Sequence, residues 1–223
     1  MHRKWLITSS LLLFVAAALV AAPPSKVETI GACSSPDFSE ALKGSLQAQG
    51  YRISTDAGVL CEVWLAKTLQ QSAGSKGTDY STLITGSFAG VAVFPANGGD
   101  YKGKVIPPGS YTMRYQTMPA DGNHMGVSPT PDYFVLSPAG ADQDPAKVID
   151  YDPLLNMSRK ASKTNHPIPL YLTAPTAGGA LGFKDTGDGH WALETKTKAK
   201  PKDGSAEIDF PLALVLVGKG ESN

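Results

Sequence analysis

The polar groups best suited to chemistry gather between positions 114 and 166 of this 223-residue chain. His124 and Met125 stand together in the turn Asp121-Gly122-Asn123-His124-Met125-Gly126, and His166 stands in a second turn, Asn165-His166-Pro167. Imidazole and thioether together suit a copper-type ion, so His124, Met125 and His166 form a candidate metal set. The close Cys/His/Met clustering of electron-transfer copper sites is missing, as are His-x-x-x-His, Cys-x-x-Cys and His-Glu-x-x-His. The competing reading is that both histidines hydrogen-bond loop backbone and fasten their turns.

A nucleophilic site would draw on Ser158 or Ser162, His124 or His166, and Asp121 or Asp132. Neither a usefully placed Ser-x-x-Lys nor a Gly-x-Ser-x-Gly elbow supports it, so no catalytic residue is assigned and the hydrolase reading ranks last. Asp132, Asp142, Asp144, Asp150 and Asp152 make the following loop acidic. The calcium-loop spacing is absent, which favours a solvated acidic loop over a cation site. What remains is recognition. Arg114, Asn123, His124, Arg159, Lys160 and His166 could supply polar contacts from turns on a rigid scaffold, where binding sites are commonly built. The expected activity is therefore non-catalytic binding of an unknown small molecule or protein, with no cofactor beyond the metal ion just described.

The elements that must carry these residues read as short strands. Positions 51–54 and 59–66 form a hairpin about Asp56-Ala57-Gly58. Positions 83–88 and 90–94 supply further strand material. Residues 110–118 alternate, Tyr111, Met113, Tyr115 and Thr117 against Thr112, Arg114 and Gln116, one face in and one face out. Residues 133–136 and 168–173, a hairpin over 181–198, and a final strand over 210–217 complete the set. Pro211 places that last strand at an edge or a bulge. Two helices are expected. The first spans 35–49, opened by Ser35-Pro36-Asp37, lined by Phe38, Leu42 and Leu46, and closed by Gly50. The second spans 153–162, capped by Asp152, with Arg159 and Lys160 in its last turn. Lys196, Lys198, Lys200 and Lys202 alternate, as lysines do on the solvent face of an edge strand. The fold class expected is mainly β: an antiparallel β-sandwich of about nine or ten short strands with two short helices.

Bulk properties bound the rest. Twenty basic and twenty acidic residues cancel, which argues against bulk attraction to nucleic acid. The chain opens Met1-His2-Arg3-Lys4, and positions 5–22 are apolar and end in small residues. That pattern makes 1–22 a signal peptide and the protein secreted or periplasmic, touching membrane only through that segment if it stays uncleaved. Residues 23–34 read as an extended leader, and 23–223 as one domain, large enough to fold without a metal staple. In an oxidising compartment the two cysteines, Cys33 and Cys61, are a disulfide candidate, worth roughly 3–4 kcal/mol in the chain-entropy model.

The motifs Asp121-Gly122-Asn123-His124-Met125-Gly126, Pro129-Thr130-Pro131-Asp132-Tyr133, Ser158-Arg159-Lys160-Ala161-Ser162 and Thr164-Asn165-His166-Pro167 resemble those of a group of uncharacterised secreted bacterial proteins. Leu60-Cys61-Glu62-Val63-Trp64-Leu65 is similar to that group's first core strand. The resemblance covers most of the chain after the leader. It implies a bacterial origin and carries no mechanism with it.

Overall fold

The computed structural model describes residues 26–119, 128, 130–176 and 180–219. In chain order the elements are β1 (Lys26–Ile30), α1 (Glu40–Ser45), β2 (Gly50–Thr55), β3 (Gly58–Leu65), β4 (Thr68–Gln71), β5 (Phe88–Phe94), β6 (Gly98–Gly99), β7 (Val105–Ile106), β8 (Gly109–Thr117), β9 (Asp132–Pro138), α2 (Tyr151–Ser162), β10 (Ile168–Tyr171), β11 (Gly182–Gly187), β12 (His190–Pro201) and β13 (Ile208–Val217). The protein is mainly β, 47% strand and 13% helical, and the described residues form two short α-helices and no closed barrel.

One sheet has seven strands in the order β1-β2-β3-β5-β8-β9-β10, and every neighbouring pair in it is antiparallel. A second sheet runs β11-β12-β13, and β4 joins it beside β12 in parallel register. β6 and β7 form a two-stranded ribbon. The main core lies between the sheets. Ile53, Val63, Leu65, Val91, Met113, Phe134 and Leu136 of the first meet Leu193, Phe210, Leu212 and Leu214 of the second. Each such aliphatic or aromatic side chain, fully buried, contributes about 1.5–3 kcal/mol relative to exposure.

β9 is apolar on both faces for a reason visible in its alternation. Phe134 and Leu136 point into the sandwich. Tyr133 and Val135 point the other way, where α2 covers them with Leu154 and Leu155. The helix thus makes a third layer over the β9–β10 end of the large sheet.

Several sequence expectations are corrected. α1 is six residues long and its N-cap is Ser39, whose hydroxyl accepts the Leu42 N–H. So short a helix is marginal alone. Burial of Phe38, Leu42 and Leu46 in the main core holds it, and Gly50 opens β2 instead of closing the helix. α2 begins at Tyr151, with Asp150 at the N-cap and Asp152 in the first turn. Positions 83–87 form a turn: Leu83 follows the short 3-10 helix Tyr80–Thr82, and Gly86 has φ +78°. A β-carbon at Gly86 would meet the Ile149 carbonyl oxygen at 2.0 Å. β4 occupies positions with no alternation to announce it. Pro211 does lie on a strand at the margin of its sheet. The alternating lysines do not. Lys196, Lys198 and Lys200 sit on β12, which has neighbours on both sides, so their exposure follows from the outward face and not from an edge.

The expected Cys33–Cys61 disulfide does not form: both thiols are free and buried. Each packs as a small apolar group in the main core. Burial pushes both thiols up, away from the thiolate through which a disulfide would form.

Candidate ligand-binding site

Arg114 sits in the middle of β8 and is 0% exposed. Its Nε and Nη2 each donate to one carboxylate oxygen of Asp142 at 2.7 Å. Nη1 donates to the Gly86 and Lys147 carbonyls and Nη2 also to the Asp144 carbonyl. Thr112 Oγ donates to Asp142 Oδ2 as well, at 2.7 Å. The guanidinium has five N–H donors, and all five are spent on the protein. Arg114 is thus a buried tie between β8, the turn at Gly86 and the 142–147 segment, with nothing left for a ligand. The alternation of β8 put Thr112, Arg114 and Gln116 on the outward face. That face is covered, and all three are buried.

The acidic stretch is correspondingly less solvated than its composition suggested. Asp142 is buried in this pair, and Asp132 is buried where the Tyr115 hydroxyl donates to its Oδ1 at 2.6 Å. Burial raises the Asp132 carboxyl, and the Tyr115 bond opposes the rise.

Arg159 and His166 lie together. The last turn of α2 holds Arg159, and the helix ends at Lys163, whose φ of 55° turns the chain back. The Ser162 hydroxyl donates to the His166 carbonyl at 2.7 Å, and the His166 N–H donates to Thr164 Oγ at 3.1 Å. Arg159 Nε donates to the Asn165 carbonyl at 3.0 Å, and Nη1 to Asn156 Oδ1 at 3.0 Å. This local lacework directs Arg159, Asn165 and His166 into one cleft of about 310 Å³. Lys160, next to Arg159, is exposed and is not among the residues lining it. Asn123, His124 and Met125 lie outside the described residues, so of the metal set only His166 is placed. Among the described residues no group of three or more His, Cys, Asp or Glu could hold a metal ion.

The described serines and aspartate of the hydrolase set are engaged within the fold, and Asp121 and His124 lie outside the described residues. Ser158 Oγ is buried and accepts the Ile168 N–H at 2.7 Å, which fastens α2 to β10. Ser162 is used in the turn just described, and Asp132 is committed to Tyr115.

The rest of the cleft comes from residues that sequence reasoning passed over. Tyr151, Leu155 and Arg159 line it from α2 at spacings of four, one stripe of the helix about 12 Å long at 1.5 Å per residue. Tyr133 on β9 and Pro169 and Tyr171 on β10 form the floor. Tyr133 and Tyr171 are register partners with ring centroids 6.1 Å apart. The third side is the 100–104 loop, with Asp100, Lys102 and Lys104. Asp100 is 3% exposed, and its Oδ1 accepts the N–H groups of Lys102 and Lys104 at 2.9 and 2.8 Å. Its other oxygen accepts no hydrogen bond among the described residues. Burial raises its carboxyl, against the pull of those two N–H groups and of the two lysine charges. Burial also pushes the Tyr171 hydroxyl up to about 12, helped by the Asp100 charge.

The loop is held from behind. Tyr101 packs edge-on against Tyr171 at 5.8 Å and stacks on His190 at 4.0 Å. The two ring nitrogens of His190 lie 3.1 Å from the carbonyls of Gly187 and Tyr101. Gly218, just after β13, permits the close approach, since a β-carbon there would meet the Asp100 carbonyl at 2.1 Å. The stripe spacing in α2 was the one signal in the sequence that could have found this wall. The meeting of the 100–104 loop with α2 had none, because it joins elements about fifty residues apart.

A larger hollow of about 660 Å³ lies elsewhere, lined by Gln47, Tyr51, Lys67, Leu181, Lys196 and Lys198 among others. Its Lys196 and Lys198 already pair with Asp209. The smaller cleft is the better site, because it gathers three cations that form no ion pair among the described residues, a buried carboxylate and the exposed Tyr151 ring.

No helix among the described residues is long and apolar enough to cross a membrane. No family model, no curated protein and no solved structure matches this chain.

Proposed function

We propose that this protein is a non-catalytic binding module of the secretory route, and that its ligand sits in the tyrosine-lined cleft between α2, β9–β10 and the 100–104 loop. The observation carrying the reading is convergence. Arg159 and His166 come from a helix end and the turn after it, and they meet Tyr133, Tyr171 and the buried Asp100 carboxylate, which belong to other elements. A cleft of this volume with ring walls and a few polar groups is the usual form of a small-ligand site. Support for a binding role over a hydrolytic one comes from Ser158 and Ser162, whose hydroxyls serve backbone groups. Support for secretion comes from the basic start and apolar run of residues 1–22.

Amide chemical-shift mapping with a mixed library of small polar and aromatic fragments tests the site. Shifts are expected to cluster on Tyr133, Tyr151, Arg159 and Tyr171. Shifts confined to the Gln47–Lys198 hollow, or scattered without a cluster, would sink the assignment.

A further inference from the structure

The cleft has a chemical polarity that narrows its ligand. Among the described residues three permanent cations line it, Lys102, Lys104 and Arg159, against one carboxylate, Asp100. None of the three cations is in an ion pair among the described residues. A net positive cleft selects an anion. A simple polyanion fits poorly, because the buried Asp100 would repel it. The Asp100 oxygen that accepts no hydrogen bond among the described residues suits a neutral hydroxyl donor. The lining also holds Tyr133, Tyr151 and Tyr171 with Pro167 and Pro169; Tyr133 and Tyr171 are buried in the floor, and Tyr151 is the exposed ring of the three. Tyrosine presents a flat apolar face and a hydroxyl together. Arg159 keeps Nη2 without an acceptor among the described residues, and a planar guanidinium suits a carboxylate or phosphate.

We propose that the cleft recognises an acidic sugar: a pyranose ring packed on Tyr151 beside Pro167 and Pro169, a ring hydroxyl donating to Asp100, and a carboxylate or phosphate group held by Arg159. The stripe from Tyr151 to Arg159 is about 12 Å long, longer than one sugar ring, so the site favours a short oligosaccharide over a monosaccharide. This inference rests on the cleft being the binding site.

Titration calorimetry on the full chain at low salt distinguishes the outcomes, using trigalacturonate, glucose 6-phosphate, neutral maltotriose and inorganic phosphate as probes. Acidic sugars should bind at least about tenfold tighter than maltotriose or inorganic phosphate, and added salt should weaken them. Trigalacturonate ahead of glucose 6-phosphate assigns the anion as a uronate, and the reverse assigns it as a phosphate. Arg159→Met should cost about tenfold for the acidic sugars and leave maltotriose unchanged. Tyr151→Ala should cost about tenfold for every sugar, since it removes a ring face. Tyr151 is 39% exposed, so both variants should keep the parent melting temperature. Equal affinity for trigalacturonate and maltotriose overturns the anion requirement. Inorganic phosphate binding as tightly as glucose 6-phosphate overturns the ring requirement. If no sugar binds while fragments still map to the cleft, the ligand class is wrong and the binding module stands. If fragments also fail to map there, the module reading itself has failed.

Discussion

Arg114 and Arg159 carry the same charge on the same side chain, and the molecule uses them in opposite ways. Arg114 is sealed in the large sheet with five donors satisfied by Asp142 and three carbonyls. Arg159 stands half-buried on the wall of a cleft, and among the described residues its side chain binds only Asn156 and Asn165, both within six residues of it. The first joins segments distant in sequence and fixes their arrangement. The second is oriented by its own helix end and retains capacity outward. Charge alone distinguishes neither. The acceptors that the fold places around each guanidinium do.

The largest effect should come from breaking the interior tie. Arg114→Leu leaves Asp142 buried without its partner and should cost about 3–5 kcal/mol, read by urea unfolding. Arg114→Leu with Asp142→Leu should recover a large part of that loss, because no unpaired charge remains. A double variant as unstable as the single one would mean that the three carbonyls left without a donor dominate.

Asp100→Asn should have a smaller effect, with a defined pH dependence. Burial raises the Asp100 carboxyl above its unfolded value, so folding favours the protonated form. Ionisation therefore lowers stability as pH rises through the window between the unfolded value near 3.8 and the folded one. The amide oxygen can still accept the Lys102 and Lys104 N–H groups. The variant should melt at or above the parent at pH 7, and the difference should shrink as pH falls toward 4. A melting temperature well below the parent at pH 7 would show that the charge itself holds the loop.

Arg159→Met should change stability by less than about 0.5 kcal/mol by the same unfolding assay, although it removes one positive charge as Arg114→Leu does. A loss comparable to that of Arg114→Leu would erase the contrast between the two arginines and make Arg159 architectural. Smallest of all is Lys198→Met. Its partner Asp209 is also held by Lys196, and all three are exposed, so thermal melting should show no resolvable shift.

Much of the β framework was legible. Alternation in 110–118 and the Asp185-to-Gly189 turn in the 181–198 hairpin announced β8, β11 and β12 directly. The strand at 83–88 was misread because apolar content alone does not separate a strand from a buried turn. Gly86 turns left-handed there, and its carbonyl takes the Arg114 and Ile149 N–H groups. The site was half legible. Arg159 and His166 stood out by type, and both line the cleft. Arg114 stood out by type too and proved interior, because strand alternation shows that two faces differ without showing that one is wet.

Sequence alone determined the fold class, the placement of most strands and the second helix, because these follow from local periodicity and turn chemistry. It also supplied one polar turn, Asn165-His166-Pro167, from which the cleft is partly built. Tertiary structure decided what each polar group does. Burial of Arg114 depends on the 139–149 segment folding back over β8. The cleft depends on a loop at 100–104, a helix at 151–162 and a strand pair at 133 and 171 meeting in space. Those are contacts between segments far apart in the chain, and residue type and spacing do not encode them locally.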